Sequence, residues 1–378
     1  MEVSKVGGKA VKFLFLSEED MIKAGVLDMP ACLETMEKVF ALVGKGDYIM
    51  GGRTKNSHGI KIHFPKESPF PGMPVEGPDR RFMAMVAYLG GEFHVCGEKW
   101  YGSNIANPSR GLPRSVLVVV LNDPDTCAPF AFMSANLISA MRTGAMPGLG
   151  AKYLARKDSK EIGIIGAGVI SRGSLLSLAE VCKNAENIKV YDLFPEKSAS
   201  FCAEMAGLLK KNVHPVSSLD EAVIGSDVVN MAAAGANPPH IKGEWLKPGS
   251  LLSMPAGGVL DDGFVLHGAD RVVIDSFEMH KTFREEGELG NLQASTALAS
   301  RYLFQHIEKG EMTEDQITNL GDVVAGKKPG RISDSERILY IQGGLPVEDL
   351  AWGLTVYKKA VEMGIGTELK LWESAHWM

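Results

Sequence analysis

The sequence predicts an α/β protein in which a doubly wound parallel sheet is inserted into a second, α+β domain. The first observation behind this prediction is that short apolar strands alternate with helical segments in the middle of the chain. These strand signals lie at residues 162–165, 187–192, 226–231, 250–253 and 271–275. The second observation is an amphipathic helical segment at residues 346–366, which fits back onto the start of the chain. We therefore expect residues 1–138 and 322–378 to form one domain and residues 139–321 the inserted one.

The segment before the inserted domain has its own strand and helix signals. Strands are predicted at residues 13–16, 82–89, 115–121 and 129–133, and helices at residues 29–44 and 135–156. Ser17 stands where an N-cap residue would begin a further helix. Residues 122–126, Asn-Asp-Pro-Asp-Thr, separate two of the strands and are rich in turn formers, which predicts a β-hairpin.

The most specific motif is the glycine turn Gly166-Ala167-Gly168, which follows a short apolar strand and precedes a helical segment at residues 169–181. Gly166 allows a tight turn, and Gly168 lets the backbone approach a pyrophosphate group. The N-terminus of the helix adds unpaired N–H groups. The third position of the fingerprint holds Ser171, which is small enough for close packing of helix and strand. The inserted domain is therefore predicted to be a Rossmann-like, dinucleotide-binding domain.

Asp192 ends the next strand, 26 positions after Gly166. This is near the spacing of the acidic residue that binds the ribose hydroxyls of NAD. A carboxylate there would repel the 2′-phosphate of NADP, so we predict NAD as the cofactor. The alternative is that Asp192 only begins the turn before Pro195. The residues predicted to contact the cofactor are Thr143, Gly166, Ala167, Gly168, Val169, Ile170, Asp192, Ala232 and Gly343.

Composition excludes several classes of protein. The net charge of −6 argues against nucleic acid or an anionic membrane as the main partner. The sequence has no apolar run of 18 residues, and its first residues lack the apolar core of a signal peptide. The five cysteines are odd in number and lack the spacing of metal ligands, so we expect free thiols, no metal and a cytoplasmic protein.

Short motifs spread along the chain are similar to those of one known family. In chain order they are Arg53, Lys99 and residues 107–113, 122–126, 142–145, 166–168, 273–275, 326–331 and 347–350. On these motifs the chain resembles the ornithine cyclodeaminase and mu-crystallin family over nearly its full length. Within the family it is similar to a bacterial subgroup named as a component of tyramine oxidase, a name that defines no reaction. The family resemblance implies a homodimer formed through the first domain, and a small amino-acid or imino-acid substrate that faces the nicotinamide.

Three basic residues match the positions with which the family binds the substrate carboxylate: Arg53, Lys99 and Arg142. Guanidinium groups suit this task because they hold a carboxylate with two hydrogen bonds and so fix its orientation. Hydride transfer requires the reacting carbon to be held in this way against the nicotinamide. The alternative roles are surface charges or structural ion pairs. Arg142 lies among small and apolar residues, which argues against a solvated position, whereas Arg53 lies in a polar loop where a surface role is equally good.

One departure from the family pattern changes the predicted reaction. The family's catalytic aspartate falls at Gly258 or its neighbour in this sequence. Asp261 and Asp262 follow closely, and Asp261 is the candidate substitute. The alternative is that the pair forms a turn or begins a helix. Without the aspartate, cyclisation of ornithine with loss of ammonia lacks its proton acceptor. Reduction of a C=N bond needs only a carboxylate clamp, a hydride donor and a proton source.

These points predict an NAD(H)-dependent oxidoreductase that acts on the C–N bond of an amino acid or imino acid, as an imine reductase or an amino-acid dehydrogenase. Its predicted catalytic residues are Lys99, Arg142 and Asp261. Two alternatives stay open. One is an ammonia lyase of the ornithine cyclodeaminase type, and the other is a non-catalytic, nucleotide-binding subunit of an amine-oxidising system.

A polar region at residues 58–81 interrupts the strand pattern of the first domain. Its aromatic and apolar side chains, together with Phe82, would suit a pocket for a larger or aromatic substrate, although an ordinary minor core is an equally good interpretation. The residues concerned are Phe64, Phe70, Met73 and Phe82. His58 and His63 lie in the same region, but they lack the framework of cysteines or carboxylates that a zinc site would need.

Overall fold

The structure is a computed structural model that describes residues 9–77, 79–233, 238–287 and 299–376. The strands are β1 (Val11–Leu16), β2 (Tyr48–Met50), β3 (Ile60–Ile62), β4 (Arg81–Leu89), β5 (Val95–Ser103), β6 (Ser115–Asn122), β7 (Pro129–Ser134), β8 (Glu161–Ile165), β9 (Asn187–Tyr191), β10 (Asn212–Pro215), β11 (Val228–Met231), β12 (His240–Ile241), β13 (Leu251–Met254), β14 (Val259–Leu260), β15 (Arg271–Ile274), β16 (Ile317–Asn319), β17 (Ile338–Ile341) and β18 (Thr367–Trp372). The helices are α1 (Glu18–Lys23), α2 (Met29–Lys45), α3 (Asn136–Leu154), α4 (Val169–Val181), α5 (Pro195–Leu209), α6 (Leu219–Val223), α7 (Phe277–Glu285), α8 (Ser300–Glu308), α9 (Leu320–Val324) and α10 (Pro346–Met363).

The chain divides into two compact units. The first comprises residues 1–27, 47–139 and 346–378, and the second comprises residues 28–46 and 140–345. These bounds differ from the predicted ones in two places, because α2 and residues 322–345 both belong to the second unit. Gly44 of α2 packs so closely on Gly321 that a Cβ would collide with the Gly321 carbonyl. Residues 322–345 contain β17, which pairs with β13 and β15 in the second unit.

The first unit is built on a mixed sheet with the order β18-β1-β7-β6-β5-β4-β2, with β3 paired to β4. Only the β1–β7 pair on this path is parallel. The predicted hairpin is present, because β6 and β7 pair antiparallel across the turn at residues 122–126. The long helix α10 packs against β4, β5 and β6, and its Trp352 is buried and donates to the Val26 carbonyl at 3.3 Å.

The second unit is built on a parallel sheet with the order β10-β9-β8-β11-β13-β17-β15-β16. Every pair in this sheet is parallel, so the carboxyl ends of its strands lie along one edge. From β8 the chain adds strands first on one side, as β9 and β10, and then on the other, beginning with β11. Ligands bind open α/β sheets at such a reversal of strand order, outside the carboxyl ends of the strands.

Among the described helices, none combines the length and the apolar character that a membrane-spanning segment needs.

Candidate functional site

The predicted pyrophosphate turn lies at this reversal, between β8 and α4. Gly166 has a φ of +92°, and a Cβ there would come within 2.9 Å of the Ala233 amide nitrogen, so the position requires glycine. A Cβ at Gly168 would instead meet no heavy atom within 4 Å. Gly168 is the N-cap of α4, and no described side chain caps this helix. The first amides of α4, which include those of Val169 and Ile170, are therefore left for water or an anionic ligand.

Asp192 lies beside this turn. Its Oδ2 accepts a hydrogen bond from the Ala167 amide at 2.8 Å. Its Oδ1 accepts one from the Phe194 amide at 3.0 Å. The second contact is the turn-forming role that the sequence left open. The first contact joins the carboxylate to the glycine turn, which is where a ribose-binding acid of a Rossmann-like domain stands.

Two further predicted cofactor residues lie on the same edge of the sheet. Ala232 directly follows β11, and its amide donates to the Ile165 carbonyl at 2.9 Å. Gly343 follows β17, and its amide donates to Asp275 Oδ2 at 2.6 Å. The carboxyl edge of the parallel sheet therefore brings together Asp192, the glycine turn, Ala232 and Gly343.

Helix α3 carries Arg142 and Thr143, and its second-unit part is held against α4 by very small residues. A Cβ on Gly144 would collide with the backbone of Gly173. The Ser177 hydroxyl donates to the Gly144 carbonyl at 2.6 Å and accepts from the Gly148 amide at 3.1 Å. This hydroxyl therefore lies between the Gly144 carbonyl and the Gly148 amide, next to Pro147, which lies inside α3. Arg142 and Thr143 are thereby fixed relative to the helix that begins at the glycine turn.

Arg142 is only 5% exposed, which excludes the surface-charge alternative. Its guanidinium lies directly against Gly344, where any Cβ would collide with Nη1. Gly344 has a φ of +80°, and its amide donates to Asp275 Oδ2 at 2.8 Å. The position of Gly344, and with it the space available to the guanidinium, is therefore set by Asp275.

Asp275 is the centre of a buried polar network that sequence reasoning missed, although the residue belongs to a motif shared with the family. Its Oδ1 lies 2.9 Å from His280 Nε2, and His280 Nδ1 lies 2.7 Å from the Ser300 hydroxyl. Burial opposes ionisation of Asp275, but His280 and the amides of Gly343 and Gly344 outweigh it and lower the pKa of this carboxyl. Since all three side chains of the network are buried, its role is to hold the loop after β17.

Lys99 lies on β5 in the first unit and is 1% exposed. Its Nζ lies 2.8 Å from Asp349 Oδ2 and 3.2 Å from the Ser139 hydroxyl. The structure therefore gives Lys99 the ion pair that the sequence left open as an alternative. In the sequence, Asp349 stands out only as part of a family motif, because its partner is 250 positions away.

Arg53 is exposed and occupies the tip of the turn that the Gly51–Ser57 bridge closes. In the first unit Arg53 therefore has the position of a surface charge, which was the alternative to substrate binding. Its predicted contact with a substrate carboxylate stays a prediction.

The structure places the position of the missing family aspartate beside Met231, and it weakens the proposed substitute. A Cβ at Gly258 would collide with the Met231 methyl group, so a larger residue there requires this flexible side chain to move. Asp261 lies 2.6 Å from His240 and accepts the Gly243 amide at 2.8 Å. The Gly243 amide, followed by His240, lowers the pKa of Asp261. A carboxyl held ionised in this way is a poor proton donor at neutral pH, so Asp261 fits the turn-forming alternative better.

Two aromatic side chains, Phe64 of the polar region and the adjoining Phe82, pack together with Trp100. Phe82 stacks on Trp100 at a centroid distance of 5.9 Å, and Phe64 meets Phe82 edge-on at 6.4 Å. These rings line a cleft of about 650 Å³. Because neighbouring residues of a strand point to opposite faces, Trp100 points away from the face that carries Lys99. That these rings form part of a substrate pocket stays a prediction.

No group of three or more histidine, cysteine, aspartate or glutamate side chains in the described part of the chain could hold a metal ion. The histidines at positions 58 and 63 are among the residues searched.

An all-parallel sheet with an uncapped glycine turn at its strand-order reversal defines a dinucleotide-binding α/β protein. The profile of the ornithine cyclodeaminase/mu-crystallin family matches residues 26–364. The chain belongs to this family.

Relatives and solved structures agree with this assignment. An N-((2S)-2-amino-2-carboxyethyl)-L-glutamate dehydrogenase of Staphylococcus aureus is 33% identical over 77% of this chain and 82% of its own. The Δ1-pyrroline-2-carboxylate reductase of Thermococcus litoralis, solved with NADH and L-proline, is 30% identical and has a TM-score of 0.76 over 94% of this chain and 99% of its own. An archaeal alanine dehydrogenase dimer with bound NAD is 26% identical and has a TM-score of 0.77 over 96% and 100% of the two chains.

The predictions of the family and of an α/β fold with a Rossmann-like domain are confirmed. The predictions of NAD as cofactor and of an oxidoreductase of amino-acid or imino-acid chemistry agree with what these relatives are. The roles of individual residues of this chain in the reaction stay predictions.

Proposed function

We propose that this protein is an NAD(H)-dependent oxidoreductase that reduces the C=N bond of a small imino acid, or oxidises the corresponding amino acid. The observation that carries the proposal is the open glycine turn with Asp192 and the buried Arg142 in one compact unit. The relatives support it, because they are dehydrogenases and reductases of amino and imino acids.

The second unit offers a site that fits NAD. The uncapped N-terminus of α4 would hold the pyrophosphate, and Asp192 would accept the adenosine ribose hydroxyls. Ala232 and Gly343 lie on the same edge and would contact the cofactor as it crosses the strand-order reversal. Bound NADH supplies the hydride, and the chain's residues position the substrate.

Arg142 is the residue we assign to the substrate carboxylate. Its guanidinium is buried, always charged and held against Gly344, so it is pre-organised for a planar anion. Lys99, paired with Asp349, is the second assigned cation. We propose that Lys99 binds or protonates the substrate, and that Asp349 holds its ammonium in place.

The glycine at position 258, where the family has a carboxylate, favours imine reduction over cyclodeamination. Loss of ammonia from ornithine needs a base that handles the amine proton, and the described structure has no carboxylate at this place. Reduction moves one hydride to carbon and one proton to nitrogen, which gives the amine and NAD⁺. By analogy with the archaeal alanine dehydrogenase, we also propose a homodimer.

The test is NADH oxidation with a panel of cyclic imino acids and of 2-oxo acids supplied with ammonia or methylamine. We expect turnover of at least one substrate, and Arg142→Lys should raise its KM at least tenfold while the Kd for NADH changes less than twofold. Tight NADH binding without turnover on any member would favour a nucleotide-binding subunit. Ammonia release from ornithine would instead restore the cyclodeaminase alternative.

A further inference from the structure

A second cationic position lies on the Lys99 face of the first-unit sheet. In the register of β4, β5 and β6, Arg81 pairs with Ser103, and Ser103 pairs with Ser115. Because alternate residues share a face, Arg81, Tyr101 and Lys99 point to the same side of the sheet. The aromatic cleft lies on the other side.

Arg81 and Arg114 both face the carboxylate of Asp79, and Arg114 makes the closer contact with it. Asp79 Oδ2 lies 2.5 Å from both Arg114 Nε and the Ser103 hydroxyl. The closest approach of Arg81 to Asp79 is 3.5 Å, and its contact with the Tyr101 hydroxyl is 3.4 Å long. Arg81 Nε is buried and makes no hydrogen bond with any described residue. The guanidinium of Arg81 therefore keeps most of its capacity to bind an anion.

The field around Tyr101 is also positive. Arg81 Cζ lies 5.1 Å and Lys99 Nζ lies 5.9 Å from the centre of its ring. Burial would raise the pKa of Tyr101, but the charge of Arg81, together with the hydrogen bonds of Ser115 and Arg81, outweighs burial and lowers it. An environment that stabilises a phenolate also stabilises a carboxylate. Among the described residues, Asp79 faces Arg81 and Arg114, and Asp349 pairs with Lys99, so three cations face two carboxylates.

The geometry limits the size of the anion's carrier. Since Lys99 and Arg81 flank one ring, their charged groups are no further apart than the sum of the two distances to its centre. The carboxylate carbons of a four- or five-carbon diacid are roughly 4 to 5 Å apart, and each charged hydrogen bond adds about 3 Å. A substrate of this length could therefore reach both cations.

We propose that the substrate is an imino or amino dicarboxylate of four or five carbons, and that Arg81 binds its distal carboxylate. This inference rests on the proposed function, because it takes the carboxylate next to the reacting carbon to be held by the residues assigned above. Arg81 is then the residue that determines specificity for a second acidic group.

The first experiment needs no turnover. Binding of glutarate and of pentanoate to the NADH-loaded protein is measured by calorimetry in the wild type, Arg81→Met, Arg81→Lys and the control Arg80→Met. Arg80 is adjacent, but it lines the cleft on the other face and donates to the Val75 carbonyl. We expect wild type and Arg80→Met to bind glutarate at least tenfold more tightly than pentanoate. Arg81→Met should lose this preference, and Arg81→Lys should keep part of it.

The second experiment compares the reductive amination of 2-oxoglutarate and 2-oxopentanoate with ammonia. Arg81→Met should lower kcat/KM at least tenfold for the dicarboxylate and less than threefold for the monocarboxylate. Equal binding of glutarate and pentanoate by the wild type would overturn the dicarboxylate inference, and so would an unchanged preference in Arg81→Met. Absence of turnover with all imino acids would overturn the proposed function instead, and the glutarate measurement would still decide the role of Arg81.

Discussion

The ammonium of Lys99 lies 2.8 Å from the carboxylate of Asp349, and both side chains are buried. Each charge stabilises the other, since a buried ion that loses its counter-ion keeps the cost of its desolvation. The pair is a buried ionic contact that connects the centre of β5 with α10 in the first unit.

Removing one partner of this pair should be far more costly than removing both. We expect Lys99→Met or Asp349→Leu alone to lower the free energy of unfolding by about 3–5 kcal/mol. The double variant should lose much less than the sum of the two. Urea unfolding of the four proteins gives the coupling energy. Additive losses would mean that the two charges are solvated independently.

Gly344 should matter for the substrate more than for the cofactor. Gly344→Ala places a Cβ against Arg142 and forces alanine into a left-handed backbone conformation. We expect the KM for the imino acid to rise at least tenfold. The matched control is Gly364→Ala, at a φ of +67° with open space around it, which should lower stability by about 1 kcal/mol and leave KM unchanged. An unchanged KM in Gly344→Ala would show that this glycine does not affect how Arg142 binds the substrate carboxylate.

Asp192 should govern the choice between NADH and NADPH. Asp192→Ala removes the carboxylate that would repel a 2′-phosphate. The Kd for NADPH divided by the Kd for NADH should therefore fall at least tenfold, which corresponds to about 1.4 kcal/mol. The Kd for NADH should rise, because the ribose loses its acceptor. Fluorescence titration with both nucleotides measures this, and Glu196→Ala, in the next helix, is a control of equal charge change. An unaltered ratio would leave Asp192 with its turn-forming role alone.

Restoring the family aspartate should disturb Met231. Gly258→Asp should lower the thermal stability, because the buried Met231 side chain must move to admit the new side chain. Gly258→Asp with Met231→Ala should lose less stability than the sum of the two single variants, since the contact is then absent. Ammonia release from ornithine would then report whether the carboxylate is the missing part of a cyclodeaminase. If the single variant melts at the wild-type temperature, the steric explanation of this glycine is wrong.

Asp227 should make stability depend on pH at the acidic end. It accepts the amides of Lys160 and Glu161 at 2.7 Å and 3.0 Å and pairs with Lys247 at 2.7 Å. Burial opposes its charge, but Lys247 and the two amides outweigh burial and lower the pKa of Asp227. Such a carboxylate stabilises the fold above its unfolded pKa of about 3.9, and the gain disappears as the pH falls through its folded value.

Asp227→Asn should therefore lower the free energy of unfolding by about 2 kcal/mol at neutral pH and by less near pH 3.5. Asp125→Asn is the control, because Asp125 is 81% exposed and should change stability by less than about 0.5 kcal/mol at either pH. Urea unfolding at both pH values measures the difference. If Asp227→Asn lowers the free energy of unfolding by the same amount at both pH values, the hydrogen-bond geometry of Asp227, and not its charge, is responsible.

Regular elements with a clear apolar pattern could be predicted from the sequence. Helix α4 occupies the predicted residues 169–181, and β8 begins one residue before its predicted start. Strand β5 was missed, because its inward positions carry Lys99, Tyr101 and Ser103 in place of apolar residues. Polar side chains at these positions hide the alternation on which strand prediction depends.

Most features of the candidate site that could not be predicted from the sequence depend on contacts between distant parts of the chain. Asp275 could be identified as a family motif residue, but its hold on Gly343 and Gly344 spans nearly 70 positions and depends on the order of the strands. The place of Arg81 beside Tyr101 depends in the same way on the register of β4 and β5. A single sequence carries no local signal for either relationship.

The contact between Gly144 and Gly173 has a consequence for how substrate preference can change. This contact leaves no space for a side chain, so α3 and α4 cannot move apart or slide without disrupting it. The distance between Arg142, assigned to the substrate carboxylate, and the glycine turn, assigned to the nucleotide, is therefore fixed. A new substrate must keep its carboxylate and reacting carbon at that fixed interval, and variety can enter only at its far end. Directed evolution for new imino acids should therefore leave the contact between α3 and α4 unchanged.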